Sequence, residues 1–268
     1  MPATLIEQLL TEGIFVHFWF FADDSNFGFI SDEERLQLIE YGMARFSAYP
    51  HVLFTLCLEW EETWNEADVV SHMEALQGWN PWDRLASVHG NIGPFDFPNE
   101  PWADYLNIQS SQGAVESDTY SAVITNAALA SKPVLAEEFW KGAEIALGRR
   151  KAWAAFFAGA AGVGTGAYLD GLVHYTENYP FVDLVTDNSR VISGNATARV
   201  TAGSDYRFHL PTGGSVTVDL SDASSSLEAS FYDPRTQDVI VVGPVMPGTT
   251  TPLTFTAPDN QDWILQIR

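Results

Sequence analysis

The feature that most constrains the fold is a change of pattern near residue 190. Up to about residue 185, segments with helical spacing of apolar residues alternate with short apolar runs typical of buried strands. From about residue 190, short alternating segments are separated by Gly, Ser, Pro and Asp, a pattern typical of antiparallel strands and turns. The sequence therefore predicts two domains, residues 1–187 and residues 188–268.

The first domain is predicted to be built from repeated strand–helix units. Its apolar runs predict six strands, at residues 14–21, 52–58, 85–88, 105–109, 134–137 and 163–169. Its helical patterns cover residues 2–12, 31–48, 66–77, 119–130 and 149–161, and the segment SDEE at residues 31–34 forms a capping box. About 31 residues per unit is the spacing of an eight-unit barrel of ~250 residues. We therefore expect an α/β fold: an incomplete (β/α) TIM-type barrel of about six units that lacks its first two strands.

An incomplete parallel barrel would expose the edges of its sheet, which is an aggregation hazard. Direct closure of six strands, a second chain over the gap or a truncated sequence would each account for the missing units. Closure or association is favoured, so a homo-oligomer that covers the open edge is one expectation.

The second domain is predicted to be a small antiparallel β-sandwich. Seven short strands are expected, at residues 197–201, 205–210, 215–220, 227–232, 238–242, 252–256 and 262–267. Seven strands in about 75 residues is the spacing of a sandwich.

Composition excludes several classes of protein. Hydrophobic residues make up 46% of the 268 residues, which is enough for a folded core. The formal charge of −22 repels phosphate backbones, so nucleic acid is not expected as a partner. No apolar run reaches the ~18–20 residues of a membrane span, and the first residues, MPATLIEQLL, lack the basic region of a signal peptide. As given, the sequence is expected to be cytoplasmic.

The sequence also predicts no cofactor and no metal. The single cysteine, Cys57, and the six histidines show no spacing typical of metal ligands. The segment GVGTGA at residues 162–167 follows a predicted helix instead of a strand, which is the wrong context for a dinucleotide-binding loop.

Acidic and aromatic residues follow the predicted strands of the first domain. In a barrel of this type, functional residues lie at the carboxyl ends of the strands. The residues at or near these ends are Trp19, Glu59, Trp60, His89, Gln109, Glu138 and Trp140. Two carboxylates ringed by aromatic side chains suit the cleavage of sugar bonds, because one protonates the leaving oxygen while the other acts at the anomeric carbon.

Two of these segments resemble motifs of clan A retaining glycoside hydrolases. The segment HVLFTLCLEW at residues 51–60 is similar to the fourth-strand motif, and KPVLAEEF at residues 132–139 is similar to the seventh-strand motif. The resemblance implies that Glu59 is the acid/base and Glu138 the nucleophile. The sequence departs from the first motif at Leu58, where the clan usually has Asn, and at Trp60, where Pro is common. Asp is frequent at the position of Glu59 in the nearest relatives.

The second domain extends the resemblance. Its segments FHLPTGGSVTVDL at residues 208–220, FYDPRT at 231–236 and FTAPDNQDWIL at 255–265 are similar to the β-sandwich, labelled a collagen-binding domain, that follows the barrel in apiosidase-like glycosidases. The segment NIQS at residues 107–110 resembles the sixth strand of that family. The implied activity is that of a retaining glycosidase whose two carboxyls lie ~5–5.5 Å apart and whose substrates are small β-glycosides, with β-glucosides as the first expectation.

Alternatives remain open at this stage. Glu137 rivals Glu138 as the nucleophile, since neighbouring residues of a strand point to opposite faces. Trp19, Trp60, Trp64, Trp140, His89 and Gln109 would contact the sugar, yet a Trp is more often a packing residue than a sugar platform. A different class of protein also fits, namely a catalytically silent carbohydrate-binding or scaffold protein derived from a glycosidase, and the absence of Asn at Leu58 favours it.

Overall fold

The computed structural model describes residues 3–22, 30–110, 115–139, 144–164, 169–248 and 250–268. Its helices are α1 (Ala3–Thr11), α2 (Asp32–Phe46), α3 (Glu66–Gly78), α4 (Glu116–Ala127), α5 (Ile145–Ala158) and α6 (Asp170–Asn178). Its first strands are β1 (Val16–Phe21), β2 (Val52–Cys57), β3 (Ala86–Ser87), β4 (His89–Ile92), β5 (Leu106–Gln109), β6 (Val134–Glu137) and β7 (Gly162–Val163). Its later strands are β8 (Val185–Thr186), β9 (Val191–Ser193), β10 (Thr197–Thr201), β11 (Asp205–Leu210), β12 (Ser215–Val218), β13 (Leu227–Tyr232), β14 (Val239–Val245), β15 (Leu253–Thr256) and β16 (Trp263–Ile267).

The chain divides into two compact units. The first unit comprises residues 1–109 and 125–135, and the second unit comprises residues 110–124 and 136–268. This division does not follow the predicted boundary at residue 187, because α5 and α6 pack with strands of the C-terminal sheets. The two-domain division of the sequence stays a prediction.

The first unit contains parallel strands and helices, as predicted for an α/β fold. Strand β1 pairs in parallel with β2, and β2 with β3; β4 pairs in parallel with β5. The predicted capping box of α2 is present, since Ser31 Oγ accepts from the Glu34 backbone and Glu34 accepts from the Ser31 N–H at 2.7 Å. No sheet closes into a barrel within the residues that the structure describes.

One side of these strands packs against helices. Phe54 and Leu56 of β2 are fully buried, as are Met43 of α2 and Met73 of α3. Phe18 of β1 packs on Phe46 of α2, with ring centroids 5.0 Å apart. This apolar side fixes the orientation of the strands and therefore the direction in which the alternate residues point.

Several elements differ from the expectation in their bounds. The strand expected at residues 85–88 is replaced by two short strands, β3 and β4. Helix α5 covers residues 145–158 instead of 149–161, because Gly159 adopts a left-handed φ of 94° and caps the helix. Most of the strand expected at residues 163–169 lies outside the described residues, and β7 covers only Gly162–Val163.

Helix α6 is an element that the sequence pattern did not predict. Only two of its nine residues, Leu172 and Tyr175, are buried apolar or aromatic side chains, and Gly171 weakens the helical signal. Gly171 is required there, because a Cβ would lie 2.1 Å from the carbonyl oxygen of Pro234. The helix forms through packing, since Tyr232 donates to the carbonyl of Gly171 at 2.7 Å.

The C-terminal part of the second unit contains two antiparallel sheets. One has the strand order β14-β13-β16-β11-β10-β8 and the other the order β15-β12-β9. All seven strands predicted beyond residue 190 are present, and β8 and β9 add two short ones. The sheets share one apolar core that includes Phe208 of the larger sheet and Val216 of the smaller one.

The outer side of the larger sheet is covered by helices. Tyr232 and Ile264 pack with Trp153 of α5 and Tyr175 of α6 in a second buried cluster. Arg149 of α5 binds Asp262 through two hydrogen bonds of 2.8 and 2.7 Å. The larger sheet is therefore buried on both faces over its central strands.

Candidate functional site

Buried or half-buried polar side chains occur in each of the strands β1 to β5, and the two of β5 are spaced by two positions. This set comprises His17 of β1, Thr55 of β2, Ser87 of β3, His89 of β4, and Asn107 and Gln109 of β5. Parallel strands that are buried on both faces normally read as continuous apolar runs. A polar residue within such a strand therefore marks a face that does not pack against the helices.

Several of these side chains, with Tyr105, form a hydrogen-bonded cluster that we call the polar layer: His17, Thr55, Ser87, Tyr105 and Asn107. The Tyr105 hydroxyl lies 2.9 Å from His17 Nε2 and 3.1 Å from Thr55 Oγ1, and it donates to the Phe54 carbonyl at 2.9 Å. Ser87 donates to the Tyr105 carbonyl at 2.7 Å. Asn107 Nδ2 donates to Thr55 Oγ1 at 3.4 Å. A buried network of this kind holds its members in one arrangement.

Glu59 lies at the carboxyl end of β2 in a strained backbone conformation. Its φ and ψ of 39° and 61° are left-handed, which is uncommon for a residue with a side chain. Its N–H donates to His89 Nδ1 at 3.3 Å, and its side chain is buried, with 8% exposure. The His89 ring in turn lies 5.2 Å from the Trp19 ring, centroid to centroid. The structure thus brings together Glu59, His89 and Trp19, three of the predicted site residues.

Trp60 and Glu61 connect the end of β2 with the end of β4. The Trp60 ring packs on Phe97 at 5.2 Å, and its Nε1 is buried without a hydrogen-bond partner in the described part of the chain. Both carboxylate oxygens of Glu61 accept from the Asn91 N–H, at 2.9 and 3.0 Å. Burial and the charge of Asp96 raise the pKa of the Glu61 carboxyl, while the hydrogen bond from Asn91 opposes this shift. Glu61 therefore links the segment that carries Glu59 to the backbone of β4.

In the second unit, Glu138 follows β6 and also has a left-handed backbone, with φ of 47°. Its side chain is half-buried, and the next residue, Phe139, is buried in the cluster around Trp153. Lys151 donates to the Phe139 carbonyl at 3.2 Å, and burial lowers the pKa of Lys151. These contacts fix the backbone directly after Glu138.

Glu137, the rival of Glu138, is placed differently. It is the last residue of β6 and 9% exposed. Its backbone carbonyl accepts from the Ser110 N–H at 3.3 Å. Its side chain packs against Gly164, where a Cβ would lie 3.1 Å from the carboxylate oxygen Oε1. Glycine at residue 164 thus makes room for the Glu137 carboxylate.

The remaining predicted residues have mixed outcomes. Gln109 is buried at the end of β5, with 2% exposure. Trp140 lies outside the described residues. Trp64 is a packing residue, since it contacts Phe21 at 5.2 Å between ring centroids and Arg35 stacks over its ring at 4.5 Å.

Sequence reasoning missed the polar layer. His17 and Asn107 each lie two positions before a predicted site residue, Trp19 and Gln109 respectively, and Thr55 interrupts the apolar run of β2. That spacing of two was the signal that could have found them, because such residues share a face of the strand.

Comparison with known proteins gives a family match at the C-terminal end. Residues 180–268 match the family described as "Putative collagen-binding domain of a collagenase". No curated protein matches the sequence.

Several solved structures with a similar fold are described as glycoside hydrolases or as members of glycoside hydrolase families. One described as "Glycoside hydrolase" is 15% identical with a TM-score of 0.82, over 98% of this chain and 75% of its own. A glycoside hydrolase family 5 protein from Bacteroides vulgatus ATCC 8482 is 15% identical with a TM-score of 0.81, over 98% and 72%. A Paenibacillus polymyxa xyloglucanase of family 44 is 10% identical with a TM-score of 0.55, over 98% and 83%.

These similarities define the class of fold. The chain has a mixed α/β fold shared with glycoside hydrolases, followed by a segment similar to the collagen-binding family. Identities of 10 to 15% establish the fold and not the chemistry, which has to be argued from the residues.

No helix in the described ranges combines the length and the apolar character that crossing a membrane requires. The described residues likewise contain no group of three or more His, Cys, Asp or Glu that could hold a metal ion.

Proposed function

We propose that this protein is a retaining glycoside hydrolase that cleaves β-glycosidic bonds in small glycosides, with Glu138 as the nucleophile and Glu59 as the acid/base. In the first step, a Glu138 oxygen bonds to the anomeric carbon while Glu59 gives its proton to the departing oxygen. In the second step, Glu59 takes a proton from water, and the hydroxide oxygen replaces Glu138 at that carbon. Glu138 leaves as a carboxylate, and Glu59 is again protonated.

One observation carries this proposal: both glutamates stand within two residues after a strand of the first domain's pattern, and both have a left-handed backbone. Of the residues that the structure describes, four that are not glycine have positive φ, namely Glu59, Asp83, Glu138 and Gln237. Strain of this kind costs about 1–3 kcal/mol per residue and concentrates at active sites. That two of the four are the glutamates selected from sequence motifs supports a catalytic role for both.

The side chains beside Glu59 support the same proposal. His89 and Trp19 accompany Glu59, and they offer a ring nitrogen and an aromatic face to a sugar. Hydroxyl groups of a substrate need donors and acceptors, and sugar rings stack on aromatic side chains. The choice of β-glucosides as first substrates rests on resemblance to the clan.

The test is the release of nitrophenol from a panel of aryl α- and β-glycosides over a range of salt concentrations. The wild type is compared with Glu138→Gln, Glu137→Gln and Glu59→Gln, and with Glu62→Gln, which changes an exposed acid three residues after Glu59. We expect turnover of a β-glycoside that falls by about 10³-fold or more in Glu138→Gln and is nearly unchanged in Glu62→Gln. Loss of turnover in Glu137→Gln together with full turnover in Glu138→Gln would identify Glu137 as the nucleophile instead.

A silent carbohydrate-binding or scaffold protein is the second candidate. The observation in its favour is Leu58, a half-buried apolar residue where the clan places an Asn that binds the sugar. Folded wild-type protein that turns over no glycoside of the panel, yet binds sugars in calorimetry, would establish this alternative.

A further inference from the structure

The face of the larger antiparallel sheet that packs on α5 and α6 also carries an open groove. Its volume is about 620 Å³, which is within the ~300–1,000 Å³ of clefts that bind small molecules. The polar side chains that line it include Tyr179, Asp205, Glu228, Ser230, Gln266 and Arg268. Such a lining suits a polar ligand better than an apolar one.

Four of these side chains leave the sheet side by side. Ser230 of β13 is directly opposed to Gln266 of β16. Two positions further along, the backbones of Glu228 and Arg268 are joined by hydrogen bonds of 2.8 and 3.1 Å. Alternate residues of a strand share a face, and opposed residues lie about 4.5–5.5 Å apart at Cβ. The four side chains therefore form one compact polar cluster in the groove.

Two of the four, Ser230 and Gln266, form the floor of the groove, with 7% and 2% exposure. Gln266 Oε1 accepts from the Tyr175 hydroxyl at 3.3 Å. The Gln266 amide nitrogen and the Ser230 hydroxyl have no partner within the described ranges, and neither is closed off from the groove. Amide and hydroxyl groups at such low exposure are normally hydrogen-bonded. These two groups are therefore available to a ligand in the groove.

The charges around the groove balance each other. Arg207 neutralises Asp205, to which it donates at 2.9 and 2.7 Å. The Arg268 guanidinium stacks over the Tyr179 ring at 4.6 Å, and the Glu228 carboxylate supplies the opposite charge. An ion of either sign would therefore lie near a like charge. A hydroxyl group both donates and accepts, so it can bond to the amide, the hydroxyl and the carboxylate alike.

We propose that this groove is a binding site for a neutral sugar. Two adjacent sugar hydroxyls accept from the Gln266 amide nitrogen and the Ser230 hydroxyl, and a third donates to the Glu228 carboxylate. Arg268 covers one face of the Tyr179 ring, so recognition rests on hydrogen bonds, and we expect a dissociation constant on the order of 1–10 mM. The site does not depend on the proposed catalysis, because neither Glu59 nor Glu138 belongs to it.

The test is a titration of the ¹⁵N-labelled full chain with methyl β-glucoside, methyl β-galactoside, cellobiose and maltose. Binding is followed by NMR at the side-chain amide of Gln266. This resonance is assigned by its absence in Gln266→Glu, which keeps an oxygen that accepts from Tyr175. We expect a saturable shift with at least one of the sugars. Ser230→Ala and Glu228→Gln should each weaken that binding about three- to tenfold, through loss or weakening of one hydrogen bond.

Matched controls separate this site from the proposed active site. Ser215→Ala removes a hydroxyl of the smaller sheet that pairs with Thr256 Oγ1 at 2.8 Å, and it should leave the affinity unchanged. Glu59→Gln should also leave it unchanged, so the titration reports on the groove even if the protein hydrolyses no glycoside. No saturation with any of the four sugars, or wild-type affinity in both folded Ser230→Ala and folded Glu228→Gln, would overturn the proposal.

Discussion

In both units, successive side chains of a strand point to opposite faces of the sheet. The parallel strands of the first unit and the antiparallel sheets of the second unit differ in the kind of side chain that each face carries. In the first unit, β1 and β2 pack one face against helices, and polar side chains of β1, β2 and β5, such as His17, Thr55 and Asn107, form a hydrogen-bonded layer. In the second unit, β11 buries Tyr206, Phe208 and Leu210 in an apolar core shared by two sheets. The first arrangement leaves polar side chains on one face of the sheet, whereas the second buries apolar side chains there.

The opposite face of β11 carries polar side chains, but these are buried. Arg207 and His209 lie there, and both are buried against helices: Arg207 stacks over Tyr175 at 5.3 Å, and His209 lies 5.6 Å from Phe157. These two polar side chains of β11 are thus enclosed by the second unit itself. Substitutions in the two regions should therefore separate activity from stability.

The largest expected effect is that of Glu59→Gln on activity. Loss of a general acid/base lowers turnover by about 10²–10⁴-fold, while an isosteric change leaves the midpoint of thermal unfolding nearly unchanged. Steady-state kinetics with aryl glycosides of increasing leaving-group pKa measure it, and the loss should grow as the leaving group becomes poorer. An unchanged rate with the poorest leaving group would remove Glu59 from the mechanism.

Phe208→Ala should have the opposite profile. Truncation of a fully buried Phe in the shared core costs about 3–5 kcal/mol of unfolding free energy. Urea unfolding measures this loss, and kcat per folded molecule should stay at the wild-type value. A large fall in kcat with little change in stability would show that the antiparallel sheets take part in the chemistry.

His209 should make stability depend on pH. Its pKa of about 4 in the folded protein is below the ordinary value of 6.5, because burial disfavours the charged form more than nearby Asp262 favours it. The unfolded chain therefore binds the proton first, and the contribution of His209, complete above pH 6.5, is lost as the pH falls towards 4. The loss is about 3 kcal/mol, measured as the difference between wild type and His209→Phe in urea unfolding at several pH values. Equal pH dependence in both proteins would contradict this.

The smallest expected effect comes from a pair of matched Tyr→Phe changes. Tyr105→Phe removes the hydroxyl at the centre of the polar layer, and Tyr206→Phe removes one that donates to Asp222 at 2.6 Å in the second unit. Each should cost about 1–2 kcal/mol of stability in urea unfolding. Only Tyr105→Phe should also lower kcat/KM; a similar fall in Tyr206→Phe would break the distinction between the two regions.

The elements that could be predicted from the sequence are those with strong local signals. The capping box at Ser31, the strand at residues 134–137 and the seven later strands follow from pattern and turn residues alone. Helix α6 could not be predicted, because tertiary contacts of Gly171 and Tyr232 stabilise it.

The candidate site likewise has a part that could be predicted from local sequence and a part that could not. Glu59 and Glu138 could be predicted as site residues because short motifs carry them, and the left-handed backbone at both residues is visible only in the structure. The polar layer was missed because its hydrogen bonds join residues far apart in sequence, such as Thr55 and Tyr105. The spacing of apolar and polar residues within one segment does not show which distant residues will form hydrogen bonds.

The most direct test of the central claim is to trap the covalent intermediate. A 2-deoxy-2-fluoro glycoside of the sugar that the panel identifies, with a dinitrophenyl leaving group, slows both steps but lets the first proceed faster than the second. The account predicts time-dependent inactivation and, in mass spectrometry of peptic fragments, one glycosyl group on Glu138. Labelling of Glu137, or hydrolysis of the parent glycoside with no labelled residue, would contradict it.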